Sequence, residues 1–325
     1  MLLRIAAFFI LVPALFAQDT GCDKTKRTKM SQAAVDYIAA FKRGEDFSPP
    51  AKGVYVNGQP DPAAIETLSK ELAEAGPNVR ENIVDLLVEM GRSTDPLTRQ
   101  GADVIRHPEI IECLAGPGLA KPDLGREAAM DALRKLVTQR DLAQYDEAFT
   151  NALALEPTEE AFLLIAKAKS FKAKDVIDRL LKLPRWQDLE AAHIAAGALG
   201  NTEFENKFLD AAAKADNGEQ LAVAIGPLAL MGTGRSLKFI GEKLRSPWTI
   251  DIPGHMPGRS VKSVRLNVLD ALLYNFPDQP ELYPNNVNRD EDYRAAERFC
   301  TERLGVVYRD APPPFLKYGN IPPGG

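Results

Sequence analysis

Between Asn78 and Leu273 the apolar residues recur at helical spacing in one repeated arrangement. A polar cap comes first, often followed by an Arg one or two residues into the helix, then a run rich in Ala, Leu, Val and Ile. Clear instances are NVRENIVDLLVEMG from Asn78, LGREAAMDALRKLV from Leu124, LEAAHIAAGALG from Leu189, EQLAVAIGPLALMG from Glu219 and SVRLNVLDALL from Ser263. With one more helix end near Ser170, the spacings run from roughly 30 to 46 residues, the range in which two-helix repeats stack into solenoids. The pattern therefore predicts an all-α fold, an α-solenoid of about six helix pairs with a capping helix at each end.

Within each pair the first helix is termed A and the second B. The predicted pairs are 63–75 with 79–90, 96–115 (interrupted at Pro108) with 126–137, and 141–155 with 159–170. They continue as 173–183 with 188–199, 203–215 with 219–231, and 236–245 with 264–274. A first capping helix is predicted over 31–41 and a last over 290–304. The Pro- and Gly-containing segment 44–62 reads as a loop, and the chain closes on a Pro/Gly-rich tail. By domain, this gives a leader, capping helix and loop over 18–62, the solenoid over 63–305 and the tail over 306–325.

Local signals agree with these boundaries. Asn78 with Glu81, Thr202 with Glu205 and Asn217 with Gln220 have the spacing of capping boxes. Gly91, Gly200, Gly232 and Gly305 stand where helices should end. The Ala- and Gly-rich B helices predict close helix approach, and Pro227 inside one of them predicts a lost backbone bond near Val223.

The first residues change the picture from fold to compartment. MLLRIAAFFILVPALFAQ has one early charge at Arg4, an apolar run of about 13 residues and small residues at Ala14 and Ala17, the layout of a secretory signal rather than a ~20-residue membrane span. Cleavage after Ala17 would place the protein in the periplasm or outside the cell. Cys22 raises lipid anchoring as an alternative, although Asp19, Thr20 and Gly21 before it depart from a lipoprotein signal. The formal net charge is −5 and loss of residues 1–17 removes one more Arg, so the charge gives no reason to expect nucleic acid or anionic lipid. Lys167, Lys169, Lys172, Lys174 and Lys182 form one local basic stretch, read as a solvated helix rim. Cys113 and Cys300 fall in apolar helices about four layers apart, too far for a disulfide.

On these residues the chain resembles the HEAT-repeat family, whose pattern is roughly Asp-Pro-x-Val-Arg followed by Ala and Leu at helical spacing. The matches are Val79-Arg80 with Leu86 and Leu87, Gly125-Arg126 with Ala129 and Leu133, and Val264-Arg265 with Val268 and Leu272. The likeness covers about two-thirds of the chain, and repeats three to five lack the Arg. It implies that B helices line a concave groove, that such proteins bind other macromolecules, and that Arg80, Arg126 and Arg265 support packing against an acidic group of the adjoining repeat.

Candidate chemistry is sparse. His107, His193 and His255 belong to different repeats and show no metal-ligand spacing, so no metal and no cofactor is expected. No nucleophile elbow, Walker loop or dinucleotide fingerprint occurs. The repeat is broken between Arg245 and Ser263 by RSPWTIDIPGHMPGRSVKS, and two readings stand for it: an exposed binding loop built on Trp248, His255 and Arg259, or a segment in which Trp248 and Ile250 fold back over the core.

The sequence thus implies an exported, non-catalytic binding or scaffold protein for a protein, peptide or polymer partner, with no nucleic acid and no membrane span. Candidate partner-binding residues are Glu190 and His193 on a B helix and Trp248, His255 and Arg259 in the insertion. A HEAT-like lyase-type enzyme or chaperone acting on a tetrapyrrole, and a structural component of the cell envelope, stand as the alternatives.

Overall fold

A computed structural model describes residues 30–49, 51–92, 104–251, 261–283, 290–309 and 318–319. The predicted signal segment over residues 1–17, Cys22, His255 and Arg259 lie outside the described residues. Among the described residues the fold is all-α with a few very short strands, and no helix is long and apolar enough to cross a membrane.

The first helix, α1 (Gln32–Lys42), packs on α2 (Pro62–Glu74) and α3 (Pro77–Gly91). Between α1 and α2 lies a hairpin of β1 (Tyr55–Val56) and β2 (Gln59–Pro60), where the sequence predicts only loop. Asn57 and Gly58 turn it with φ of 53° and 76°, the double left-handed turn that Asn-Gly favours. This segment is tied down. Phe47 N–H donates to Asn82 Oδ1 (3.1 Å), the Tyr55 hydroxyl donates to the Glu89 carbonyl (3.1 Å), and Phe47 packs edge-on against Tyr37 and Phe41.

The A helices that follow are α4 (Pro108–Ala115), α7 (Asp146–Leu155), α9 (Lys174–Leu180), α11 (Thr202–Ala213) and α13 (Gly234–Glu242), with a single turn, α6 (Gln139–Leu142), ahead of α7. The B helices are α3, α5 (Leu124–Leu136), α8 (Glu159–Ala168), α10 (Glu190–Ala198), α12 (Gly218–Met231) and α14 (Val264–Asn275). The last helix is α15 (Asp290–Leu304). The predicted helix 141–155 is two pieces, because a 3-10 turn at Ala143–Tyr145 separates α6 from α7.

Several starts have a local cause. Asp123, Thr158, Asn217, Thr233 and Ser263 accept a first-turn N–H of α5, α8, α12, α13 and α14. Two predicted boxes are displaced. Pro77 at the first helical position fixes Gly76, not Asn78, as the cap of α3. Asn201 caps α11 through the Glu203 and Phe204 N–H groups, which puts Thr202 inside the helix. Gly200, Gly232 and Gly305 end helices with φ of 97°, 55° and 65°, as predicted, while Gly91 is the final residue of α3.

Successive B helices are neighbours from α3 through α14. The middle of the row is covered over. From Ala161 to Ala168 and from Ala191 to Ala198 every residue of α8 and α10 is buried, because α8 also touches α12 and reaches the end of α14. Neither of these helices lines a groove. On α12, by contrast, Val223 is 77% accessible.

The insertion after α13 adds a small sheet. Thr249–Asp251 (β3) pairs antiparallel with Val261–Ser263 (β4), and Tyr318–Gly319 (β5) from the tail pairs with β4 on its other side. Cys113 and Cys300 are buried free thiols.

Candidate functional site

Arg80 sits in the first turn of α3 and is wholly buried. Its Nε lies 2.7 Å from Asp123 Oδ2, its Nη1 donates to the Leu72 carbonyl near the end of α2, and its Nη2 donates to the carbonyls of Pro117 (3.1 Å) and Gly118 (3.0 Å). Arg126 repeats this one pair further on. Its Nη2 donates to the Ala152 and Glu156 carbonyls at the end of α7, and its Nη1 is 3.4 Å from Glu156 Oε2. Burial lowers the Arg126 pKa, and Glu156 and then Asp123 pull it back. Both arginines thus occupy the carbonyl ends of A helices, where intrahelical donors run out and the dipole is negative. The Arg265 guanidinium lies 3.3 Å from the centre of the Tyr293 ring in α15, a cation–π contact at the last junction.

A second concentration of buried charge lies where three B helices end. Lys167, buried near the end of α8, and Lys169, half-buried at the residue that caps it, lie where α8, α12 and α14 converge and not on a solvated rim; of the basic stretch, Lys172, Lys174 and Lys182 are the exposed members. Lys167 Nζ donates to the Tyr274 carbonyl near the end of α14, and Lys169 Nζ donates to the Met231 carbonyl at the end of α12. Asn275 Nδ2 adds bonds to the Ala229 and Ala271 carbonyls (2.9 and 3.2 Å). Burial pushes both lysines down to about 8, with Lys169 and Arg134 adding to the shift at Lys167 and Glu205 opposing it at Lys169. Burial likewise pushes the Tyr274 phenol up to about 12, against the pull of Arg134 beside it.

Just past this convergence, the turns after α5 and α14 border an open cavity of about 340 Å³. Thr138, Gln139, Arg140 and Ala143 line one side, and Asn275 to Gln279 the other. At its rim Asp278 is held by Arg106 at 2.5 Å, and Thr138 is bonded to Asp141 through both its hydroxyl and the Asp141 N–H. Arg140 is exposed and has no carboxylate partner among the described residues. A second cavity of about 320 Å³, at the N-terminal ends of α5 and α8, is lined by Asp123, Arg126 and Glu156, which are already committed to one another and to Arg80.

The residues singled out in the sequence do not form one surface. Glu190 is exposed at the first position of α10. His193, one turn on, is buried: it stacks on Phe204 with ring centres 4.2 Å apart, its Nε2 is 2.6 Å from the Gln187 carbonyl, and Lys207 Nζ is 3.4 Å from its Nδ1. A ring in that position packs α10 against α11, not against a partner. Trp248 is half-buried on the core with Ile250, and its carbonyl accepts the Val264 N–H that begins α14, so the fold-back reading describes this end of the insertion. Lys167, Lys169, Tyr274 and Arg140 escape sequence reasoning. The available signal was Lys167, the one polar position in the last two turns of α8, with Lys169 just past the helix end.

Among the described residues no group of His, Cys, Asp and Glu is placed to hold a metal ion. Compared with protein-family models, with curated proteins and with solved structures, the chain has no match in any of the three.

Proposed function

We propose that this chain is a HEAT-like α-solenoid, exported to the periplasm or cell exterior, whose work is to bind a protein or peptide partner without chemical turnover. The carrying observation is where its buried cations go. Arg80, Arg126, Lys167 and Lys169 are the kind of buried or shifted groups that in an enzyme would aim into a reaction cavity. Here each is directed at the backbone carbonyls that end a neighbouring helix. The chain therefore uses its buried charge to lock helix pair to helix pair, which is what a shape-holding scaffold requires.

The test is affinity capture by the mature protein from its own envelope fraction, followed by mass spectrometry and titration of the captured species. Saturable capture of a macromolecule that elutes unaltered supports the reading. A chemically altered partner, or a coloured complex with a tetrapyrrole, overturns it.

A further inference from the structure

Resting on that reading, we infer that the cavity between the turns after α5 and α14 is a docking site for an acidic peptide segment, with a partner carboxylate facing Arg140. The size fits: about 340 Å³ is at the small end of ligand pockets, room for a short stretch of chain. The lining fits as well. Gln139 and Gln279 present side-chain amides, each carrying a donor and an acceptor that match a peptide group, and Phe276, Pro277 and Ala143 supply apolar surface between them.

Charge selects the sign of the partner. Arg140 is an exposed guanidinium with no carboxylate partner among the described residues, in a fork geometry suited to a carboxylate. Beside the lining residue Asn275, Tyr274 has Arg134 at its hydroxyl and Lys167 over its ring; Asp131 is held by Arg134 and Lys135 at 2.8 Å each, Asp278 by Arg106, and Asp141 accepts from the Thr138 hydroxyl. The negative helix ends nearby are met by Lys167 and Lys169. Among the described residues, Arg106, Arg134, Lys135 and Arg140 stand against Asp131, Asp141 and Asp278, which leaves the positive sign in excess by one charge on a chain whose formal net charge is −5. Such a patch draws acidic segments and repels basic ones.

The probes are N-acetylated, C-amidated nonapeptides of one Ala/Leu/Ser background carrying Glu, Gln or Lys at the centre, titrated against the full mature chain and against Arg140→Glu. Arg140 is exposed, so the variant should keep the wild-type melting temperature, and Arg140→Ala provides a milder second variant. The expected result is binding of the Glu peptide at least tenfold tighter than the Gln peptide, lost in Arg140→Ala, with Arg140→Glu now preferring the Lys peptide. Equal binding of Glu and Lys peptides, undiminished binding to Arg140→Glu, or no binding of any peptide overturns the inference. The two proposals fail differently. A partner captured equally by wild type and Arg140→Glu leaves the scaffold reading standing and removes this cavity. Arg140-dependent peptide binding with no macromolecule captured leaves the cavity and removes the scaffold reading.

Discussion

The Lys167 ammonium donates to the backbone carbonyl of Tyr274 and lies 3.9 Å from the centre of that residue's ring, so one cation holds both the helix end and the aromatic face of a residue 107 positions away. This contact fastens the last B helix to the middle of the row. It also closes the inner side of α8.

A first prediction follows from what this cation replaces. Removing its charge with Lys167→Met gives up a hydrogen bond but also a desolvation penalty, and the two offset, so the stability change at pH 7 should stay within about 1 kcal/mol. Lys167→Glu instead buries a carboxylate against the negative end of α14 and should cost more than about 3 kcal/mol. Urea unfolding of the two variants checks the pair. Equal losses would show that the ammonium acts by volume alone.

Dependence on pH is the second prediction. Both lysines titrate near 8 when folded and at 10.5 when exposed, so between those values the unfolded chain holds protons that the folded chain has released. Stability must then rise with pH across that window, and the charge-burial penalty is fully present only below about 8. Tyr274 acts oppositely but later, its raised pKa withdrawing stability as pH climbs from 10 toward about 12. Midpoints of urea unfolding for the wild type, measured against Lys167→Met/Lys169→Met between pH 7.5 and 10, should move in favour of the wild type as pH rises. A constant difference would mean that neither lysine is shifted.

How much of this could be read from the chain depends on the range of the cause. Helix positions were legible because periodicity and caps are local, and α15 begins and ends where the pattern places it. The repeat arginines were legible too, since Arg80 and Arg126 recur at one place in the motif and each meets an acid of the adjoining pair. Strand pairing was not: β5 meets β4 across more than fifty residues and is two residues long. The closure of α8 was hidden for the same reason, because Lys167 finds its partner only after α14 has folded back. Asn57-Gly58 did carry a hairpin signal, obscured by the surrounding Pro and Gly.

Third, the Arg80 junction should be dearer than the Arg126 junction. Asp123 is nearly buried, with 9% of its side chain accessible, whereas Glu156 is half exposed at 53%. Arg80→Ala strands a buried carboxylate and should cost roughly 3–5 kcal/mol, and Arg126→Ala less. Asp123→Asn keeps the helix cap while losing the charge, so it should be milder than Asp123→Ala. Chemical denaturation of the four variants gives the order; a larger loss at Arg126 would contradict it.

The fourth concerns His193, which the structure places inside the α10–α11 contact. His193→Ala should lower stability by about 2 kcal/mol or more through lost stacking on Phe204 and an unmet Gln187 carbonyl. Glu190→Ala, exposed at the helix start, should change stability by less than about 0.5 kcal/mol. Partner affinity measured on both separates the roles. Weakened capture by a fully stable His193 variant would return the histidine to the surface.

Two glycines of B helices supply the last prediction, because they look alike in sequence and stand in opposite surroundings. A Cβ at Gly125 would come within 2.6 Å of the Arg80 Cβ and 3.1 Å of its backbone carbonyl carbon, so α3 and α5 touch there through the absence of a side chain. Gly226 lies inside α12 with nothing within 4 Å of the same added atom. Alanine removes the entropic cost of a helical glycine at either site, a gain of about 0.5–1 kcal/mol. At Gly226 that gain stands alone and the variant should be more stable by that amount. At Gly125 it is outweighed, since the added methyl must push apart two packed helices and disturb the Arg80 and Asp123 pair, and overpacking of this kind costs typically 1–3 kcal/mol. Opposite signs for Gly125→Ala and Gly226→Ala in urea unfolding are the expected result. A stabilised Gly125→Ala would mean that α3 and α5 are not in backbone contact, and with that the tight junction between the first two pairs would go.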